Sequence, residues 1–271
     1  MPELPEVETI RRELRPLVVR RTILRARVSW PRQLRRPSLA VFRGEIRGRR
    51  IEELTRRGKF LVFQLSGQRA LLIHLGMTGA LFVEFRARPK DKHTRAIFEL
   101  EGDQELRFVD PRKFGRIYLV ADPAQITGNI GPEPLSNEFT VEVLRQLLRG
   151  RKRKLKPLLL DQTFLAGLGN IYADEALWLS RLHPLRRADR LKLPQVERLH
   201  SAIQSVLLAS LGQGGTSIDP FYRRPDASQG AYQEGMAVYG REGQACPRCG
   251  RPIRRMVLGQ RSTHFCARCQ R

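Results

Sequence analysis

The chain has no run of 18 apolar residues, and Met1 is followed by acidic residues rather than by a basic stretch leading into an apolar one. A membrane-spanning helix needs about 20 consecutive apolar residues, and a secretory leader needs the basic and apolar regions together. Neither is expected, so the reading is a soluble, cytoplasmic protein without a membrane partner. Cysteine is sparse as well. All four cysteines fall in the last 26 of 271 residues, so the body of the chain has no disulfide framework. Acidic residues are outnumbered, 27 against 50 lysines and arginines, and lysine itself is scarce, 8 against 42 arginines.

What is present points to a polyanion. The formal charge is +23, enough to raise a potential of several kT over a basic face. The excess is shared: 27 basic and 16 acidic residues up to Pro134, then 23 basic and 11 acidic beyond it. A disordered basic tail would concentrate the charge at one end. An even distribution suits two folded halves lining one groove for a phosphate backbone. A generically basic protein, such as a ribosomal one, is the plain alternative. The 41% hydrophobic content is sufficient for proper cores in two domains.

The hydrophobic pattern divides the chain. Residues Val7 to Val19 carry Ile10, Leu14, Leu17 and Val18 at helical spacing, which predicts an amphipathic helix directly after the opening MPELPE. From Ile23 to Leu119, short β-rich runs such as FLVFQL, ALLIHL, ALFVEF and RIYLV alternate with turn residues, the pattern of a β-sandwich or barrel. The expected organisation is an N-terminal β-sandwich domain over 1–119, a connector over 120–136, a helical domain over 137–235 and a cysteine-bearing module over 236–271. The Gly-, Ser- and Pro-rich stretch from Gly214 to Gly235 is expected to be a mobile loop.

Cys246 and Cys249, then sixteen residues, then Cys266 and Cys269 have the spacing that lets four thiolates surround one tetrahedral Zn²⁺. A turn at LGQR between the pairs predicts a β-hairpin zinc finger, and four thiolates make the metal structural. Arg254, Arg255 and Arg261 lie where they could contact DNA, and a purely structural clip would look the same. His264 could replace a cysteine ligand, but four correctly spaced cysteines leave it no place.

At the other end, removal of Met1 leaves Pro2 as a terminal secondary amine. An α-amino group has a pKa of about 8 against about 10.4 for lysine, so more of it is nucleophilic at neutral pH. It could attack a sugar C1′ and form an iminium ion, with Glu3 and Glu6 close enough to move protons. Taken alone, these six residues read better as an ordinary helix entry whose acidic residues are favoured by the helix dipole.

MPELPEVETIRREL, HLGMTG, DPRKFGR, GPEPL, KPLLLDQ, GLGNIYADE and the two CxxC pairs occur in this order from Met1 to Arg271. Together they resemble the formamidopyrimidine-DNA glycosylase family. The resemblance implies an α+β multidomain protein: an N-terminal β-sandwich with its helix, a helix-two-turns-helix domain and a zinc finger. It also implies a bifunctional glycosylase and AP lyase acting on oxidised purines in double-stranded DNA, as a monomer. Pro2 becomes the Schiff-base nucleophile, Glu3 the general acid/base and Glu6 a support for the damaged-base site. Lys59 becomes the proton donor for β-elimination, and Arg261 its counterpart for δ-elimination.

A damaged nucleotide must be flipped out of the duplex to be reached. The resemblance assigns Met77, Arg112 and Phe114 to fill the gap, an apolar wedge offsetting lost stacking and an arginine bonding the orphaned base. Bordering glycines place Met77 and Phe114 in turns. Backbone grip falls to His74, His93, Arg151, Lys156 and Asn170, the last at a helix start where free N–H groups favour phosphate. Thr216 and Ser217, after Gly214 and Gly215, open a loop that closes over the extruded base, and Tyr239 lies near that site. Two rivals stand beside this reading. An endonuclease VIII type would prefer oxidised pyrimidines, but it usually has glycine where Leu4 stands. A non-catalytic DNA-binding zinc protein would have no use for the intact PELPE start.

Overall fold

In the computed structural model, which describes every residue except 218–223, 226 and 227, the first helix begins almost at the N-terminus. Helix α1 (Leu4–Val18) fully buries Leu4, Val7, Ile10, Leu14 and Val18, one side chain per turn on one face. It starts three residues before the apolar periodicity does, because Glu3 and Glu6 form a reciprocal capping box across its first turn, supplying partners for backbone N–H groups the helix cannot satisfy. Its outer face pairs Arg11 and Arg12 with Glu8 and Arg15 with Glu53.

Nine strands of one ladder follow: β1 (Thr22–Val28), β2 (Leu34–Arg36), β3 (Arg49–Arg57), β4 (Phe60–Leu65), β5 (Arg69–His74), β6 (Ala80–Phe85), β7 (Thr94–Leu100), β8 (Gln104–Val109) and β9 (Arg116–Val120), with helix α2 (Leu39–Ile46) between β2 and β3. Their spatial order is β2-β9-β5-β4-β3-β1-β7-β8-β6. The contact between β1 and β3 is two residue pairs long, Thr22–Arg50 and Ile23–Arg49, after which β1 shifts register and runs along β7. Such a bulge bends the strand and raises its twist. Here it divides the ladder into two halves whose inner faces share one core: Ala26, Phe98 and Phe108 from one half, Leu54, Phe63 and Ile117 from the other, with Ile10 of α1 and Phe42 of α2 between them. This is the sandwich that the β-rich runs predict.

Strands β4 and β5 are buried on both faces. Val62, Ala70, Leu72 and Val120 form a second cluster behind the sheet, covered by Ile126 of the short helix α3 (Ala124–Thr127). Double burial explains why FLVFQL and ALLIHL read as nearly unbroken apolar runs rather than alternating ones. Strand β3 and helix α2 are among the elements that periodicity missed. RRIEELTRR buries only Ile51 and Leu54, and α2 buries only Phe42 and Ile46.

Two compact units result: Met1–Asn129 with Gln213–Ala231, and Ile130–Gly212 with Tyr232–Arg271. The second holds helices α4 (Val141–Leu148), α5 (Leu155–Leu159), α6 (Asn170–Leu179) and α7 (Leu193–Gly212). Thr140 caps α4 through the Val143 N–H at 3.3 Å. Helix α6 is buried on every side from Ile171 to Leu177, the mark of a central helix. Its Tyr172 hydroxyl meets Ser210 of α7 at 2.5 Å. The chain closes with the hairpin β10 (Arg254–Leu258) and β11 (Arg261–Phe265). Gly259 and Gln260 in its turn both have φ near +60°, the geometry that matches the twist of the flanking strands.

Candidate active site and DNA-facing loops

Pro2 is buried, and Glu3 and Glu6 are each only 2% exposed. One carboxylate oxygen of Glu6 accepts the Glu3 N–H at 2.8 Å. The other accepts from the Thr216 N–H at 2.9 Å and the Thr216 hydroxyl at 3.1 Å. Glu6 therefore ties the first turn of α1 to the start of the glycine-rich loop. Gly215 makes that approach possible: its φ is +83°, and a Cβ there would stand 3.0 Å from Glu6 Oε1 and 3.1 Å from Glu6 Cγ. The base of the loop is closed by Ser217, whose hydroxyl accepts the Gly230 N–H at 2.8 Å, and by Arg224 Nε on Glu13 at 2.6 Å. The rest of the expected capping segment, 218–223 and 226–227, lies outside the described residues.

Lys59 sits in the turn joining β3 to β4, two of the strands on which α1 packs, and is 6% exposed. His74 ends β5 directly opposite Phe60. Burial, with the nearby charges of Lys59 and Arg116, lowers its pKa to about 4, so the ring is neutral near pH 7. Nδ1 accepts the Gly76 N–H at 3.0 Å, which leaves the proton on Nε2. His74 thus presents one neutral donor beside a buried lysine.

The turns carrying Met77 and Arg112–Phe114 are clamped together by a residue whose role the sequence did not reveal. Asp110 is fully buried. Its Oδ1 accepts from the Thr78 hydroxyl at 2.9 Å, and its Oδ2 from Gln33 Nε2 at 2.6 Å and the Gly115 N–H at 2.8 Å. Thr78 in turn accepts the Arg112 N–H at 3.3 Å. Gly76 lies so close that a Cβ there would meet the Phe114 carbonyl carbon at 2.6 Å. What this clamp holds outward is an unusual surface: Phe114 is 51% exposed, and the Arg112 guanidinium stands 5.0 Å over its ring. Met77 is half-buried. His93 meets the same clamp by its backbone, its carbonyl accepting the Asp110 N–H at 2.9 Å.

The second unit carries the other predicted residues. Asn170 opens α6, which the GLG turn launches. Gln162 braces that turn, accepting the Gly167 N–H at 2.9 Å and donating to the Leu168 carbonyl at 2.8 Å. Arg151 and Arg261 are exposed. Lys156 stands elsewhere than expected. It is fully buried, its ammonium 2.7 Å from Asp174 Oδ1 and 2.6 Å from the Ser262 carbonyl, so it fastens the hairpin to α6 instead of facing solvent. Asp174 also accepts the His264 N–H at 2.9 Å. Its neighbour Glu175 accepts the N–H groups of Ala237, Val238 and Tyr239 at 2.8–2.9 Å, and the Tyr239 ring meets His264 edge-on at 5.2 Å. Asp174, Glu175 and Gln162 were within reach of sequence reasoning only as polar residues inside quoted motifs.

The Sγ atoms of Cys246, Cys249, Cys266 and Cys269 all lie within 4.8 Å of one another. Four sulfurs at about 2.3 Å from a tetrahedral zinc stand about 3.8 Å apart, so the cluster fits one Zn²⁺ and leaves it no open position. His264 takes no part; its backbone and ring face Asp174.

A sandwich with a capped N-terminal helix, a helical unit and a four-cysteine hairpin that fits one structural zinc together define a multidomain protein. Three family models match the chain: the formamidopyrimidine-DNA glycosylase N-terminal domain over 1–117, the formamidopyrimidine-DNA glycosylase H2TH domain over 130–221, and the zinc finger found in FPG and IleRS over 243–271. The formamidopyrimidine-DNA glycosylase of Thermus thermophilus is 48% identical over 275 residues, covering all of this chain and 98% of that protein. That of Symbiobacterium thermophilum is 45% identical over 274 residues, covering all of this chain and 89% of that protein. Among solved structures, the MutM (Fpg) protein from Thermus thermophilus matches with a TM-score of 0.90 at 46% identity, over 99% of this chain and 98% of that one. The Lactococcus lactis Fpg (MutM) in complex with a Fapy-dG containing DNA matches with a TM-score of 0.91 at 36% identity, over 99% of this chain and all of that one. The chain belongs to the formamidopyrimidine-DNA glycosylase family.

Proposed function

We propose that this protein excises oxidised purines, formamidopyrimidines and 8-oxoguanine, from duplex DNA and then cleaves the strand, acting as a monomer in the cytoplasm. The observation that carries the reading is the pair of buried carboxylates, Glu3 and Glu6, fixed by one capping box at the start of α1 beside Pro2. Once Met1 is removed, the Pro2 nitrogen attacks C1′ of the extruded nucleotide, and the C1′–N bond breaks as the departing base takes up a proton. Glu3 moves protons as the sugar ring opens to the iminium. The iminium acidifies the C2′ proton, whose loss expels the 3′ phosphate, and a second elimination expels the 5′ phosphate. Lys59 and Arg261 assist these two steps. Glu6, held by Thr216, supports the base-binding loop, and Met77, Arg112 and Phe114 occupy the space the nucleotide leaves. His74, His93, Arg151 and Asn170 hold phosphates. The zinc is structural.

Borohydride trapping on an 8-oxoguanine duplex tests the chemistry. The wild-type chain is expected to give a covalent adduct that Pro2→Gly abolishes and Glu3→Gln strongly reduces. Equal yields in all three, or fully active protein retaining Met1 by mass spectrometry, overturn it. A clear preference for thymine glycol over 8-oxoguanine would transfer the substrate to the oxidised-pyrimidine class.

A further inference from the structure

The N-terminal unit carries a second basic feature, formed by none of the loops described above. A groove of about 770 Å³ runs along β1, bounded by β7 and α2. Arg25, Arg27, Arg43, Arg47 and Arg95 line it against one carboxylate, Glu99. Glu99 is already held by Arg27 at 2.8 Å, and Arg95 is turned to the Asp110 carbonyl at 3.1 Å. Arg25, Arg43 and Arg47 remain exposed, with no ion pair among the described residues. Like charges gathered without a counter-ion repel one another, so the groove is built for a negative ligand.

Two further observations decide which kind. The floor is apolar: Leu24 is 47% exposed there, beside half-buried Ile97. Phosphodiester backbone would leave that floor unmatched. In addition, β1 leaves β3 after Ile23, and among the described residues no strand replaces β3 along the rest of that edge, although residues 24–29 all line the groove. An open strand edge is a template for another extended chain, whose main-chain groups complete the ladder while alternate side chains reach the flanking pockets. A nucleic acid has no such backbone to offer. A second copy of this chain would bring the same +23 into contact with itself.

We propose that this groove binds an extended acidic segment of another protein, laid along β1 with its carboxylates on Arg25, Arg43 and Arg47 and its apolar side chains on Leu24 and Ile97. None of Leu24, Arg25, Arg43, Arg47 and Ile97 is among the residues assigned to DNA, so the groove can hold a partner while the enzyme is engaged on a duplex.

The test is fluorescence anisotropy with a labelled ten-residue peptide of alternating aspartate and leucine, titrated with full-length protein already saturated by a duplex containing an abasic-site analogue. Saturable binding is expected. The double variant Arg43→Glu, Arg47→Glu should weaken it by at least about tenfold, because attraction becomes repulsion at two contacts, while nicking of 8-oxoguanine duplex stays unchanged. N-methylating alternate peptide bonds, which removes ladder donors at constant charge, should weaken binding severalfold. Equal affinity of the double variant, or of the N-methylated peptide, refutes the proposal. So does a twelve-nucleotide oligothymidylate that binds the duplex-loaded protein more tightly than the peptide and loses affinity in the same double variant, since the groove would then be a nucleic-acid site.

Discussion

Replacing Asp110 with alanine would separate the two turns that carry Met77, Arg112 and Phe114. The carboxylate accepts three hydrogen bonds in a fully buried position, from Thr78, Gln33 and Gly115. Alanine leaves those three donors without a partner and without water. Each such group costs about 1–3 kcal/mol, and part of the loss is recovered as the turns relax, so a destabilisation of about 3–6 kcal/mol is expected. A folding unit of this size shifts its melting temperature by about 2–4 °C per kcal/mol, which puts the loss at roughly 6–24 °C by calorimetry. Asparagine should behave differently. Its oxygen can keep the bonds to Gln33 and Gly115 if the Thr78 hydroxyl turns to accept from its amide, so a penalty of about 1 kcal/mol is expected. Single-turnover nicking of an 8-oxoguanine duplex, below the melting point of both variants, should fall far more for Asp110→Ala than for Asp110→Asn. It should also fall more than cleavage of a preformed abasic site, which needs less help from the turns. An alanine variant melting within about 2 °C of the parent would refute the reasoning, because the clamp would then contribute nothing.

Gly215→Ala combines a left-handed backbone, costing about 1–2 kcal/mol for a residue with a Cβ, with a methyl carbon 3.0 Å from Glu6 Oε1; single-turnover excision should slow while duplex affinity, measured by anisotropy, is retained. His74 resists protonation in the folded chain, its pKa lowered to about 4, so the unfolded chain binds the proton more readily. Stability is therefore whole above about pH 6.5 and lost as the pH falls toward 4, by up to about 3 kcal/mol; urea melts across that window should show the loss, and His74→Gln should lessen it. Chelation should release one zinc per chain and abolish DNA binding while the β-rich unit keeps its own melting transition, because a four-thiolate site contributes folding free energy directly; metal-free protein with unchanged DNA affinity would contradict this.

Much of the fold was legible because its signals are local. Cysteine spacing set the zinc module, the turn at LGQR set the hairpin, and the doubly buried β4 and β5 stood out as apolar runs. The elements that escaped had their reasons in tertiary contact. Strand β3 is mostly charged because α1 supplies partners for its outer residues, as Arg15 does for Glu53, and no periodicity in RRIEELTRR announces that. Lys156 shows the same limit at a single position. In RKRKLK it is one cation among several, yet residues 151–154 are exposed while Leu155 and Lys156, opening α5, turn inward. Asp174, eighteen residues further on, and the Ser262 carbonyl make that burial tolerable. Residue type told which side chains could meet a phosphate, but not which way the backbone aims them.

The same pair explains how Arg261, exposed and with no side-chain ion pair among the described residues, can be held for the role proposed for it. Arg261 must stay free if it is to meet a moving polyanion, so its position has to be set from behind. Ser262, the next residue, is held at its carbonyl by Lys156 and at its hydroxyl by Asn170, at 2.6 and 3.4 Å. His264, two residues on, is held at its N–H by Asp174, while Glu175 anchors the segment ending at Tyr239. Adjacent carboxylates on α6 thus fix two separate stretches of chain. Burial raises the Glu175 pKa while the three N–H donors lower it, and the neighbouring Asp174 adds to the rise. Two neighbouring buried carboxylates would repel, and Lys156 offsets that charge at 2.7 Å from Asp174. Removing one member of such a buried pair typically costs about 3–5 kcal/mol. Lys156 therefore supports from inside the protein the backbone next to Arg261, and through Ser262 it is linked to Asn170, the two residues proposed here to meet DNA.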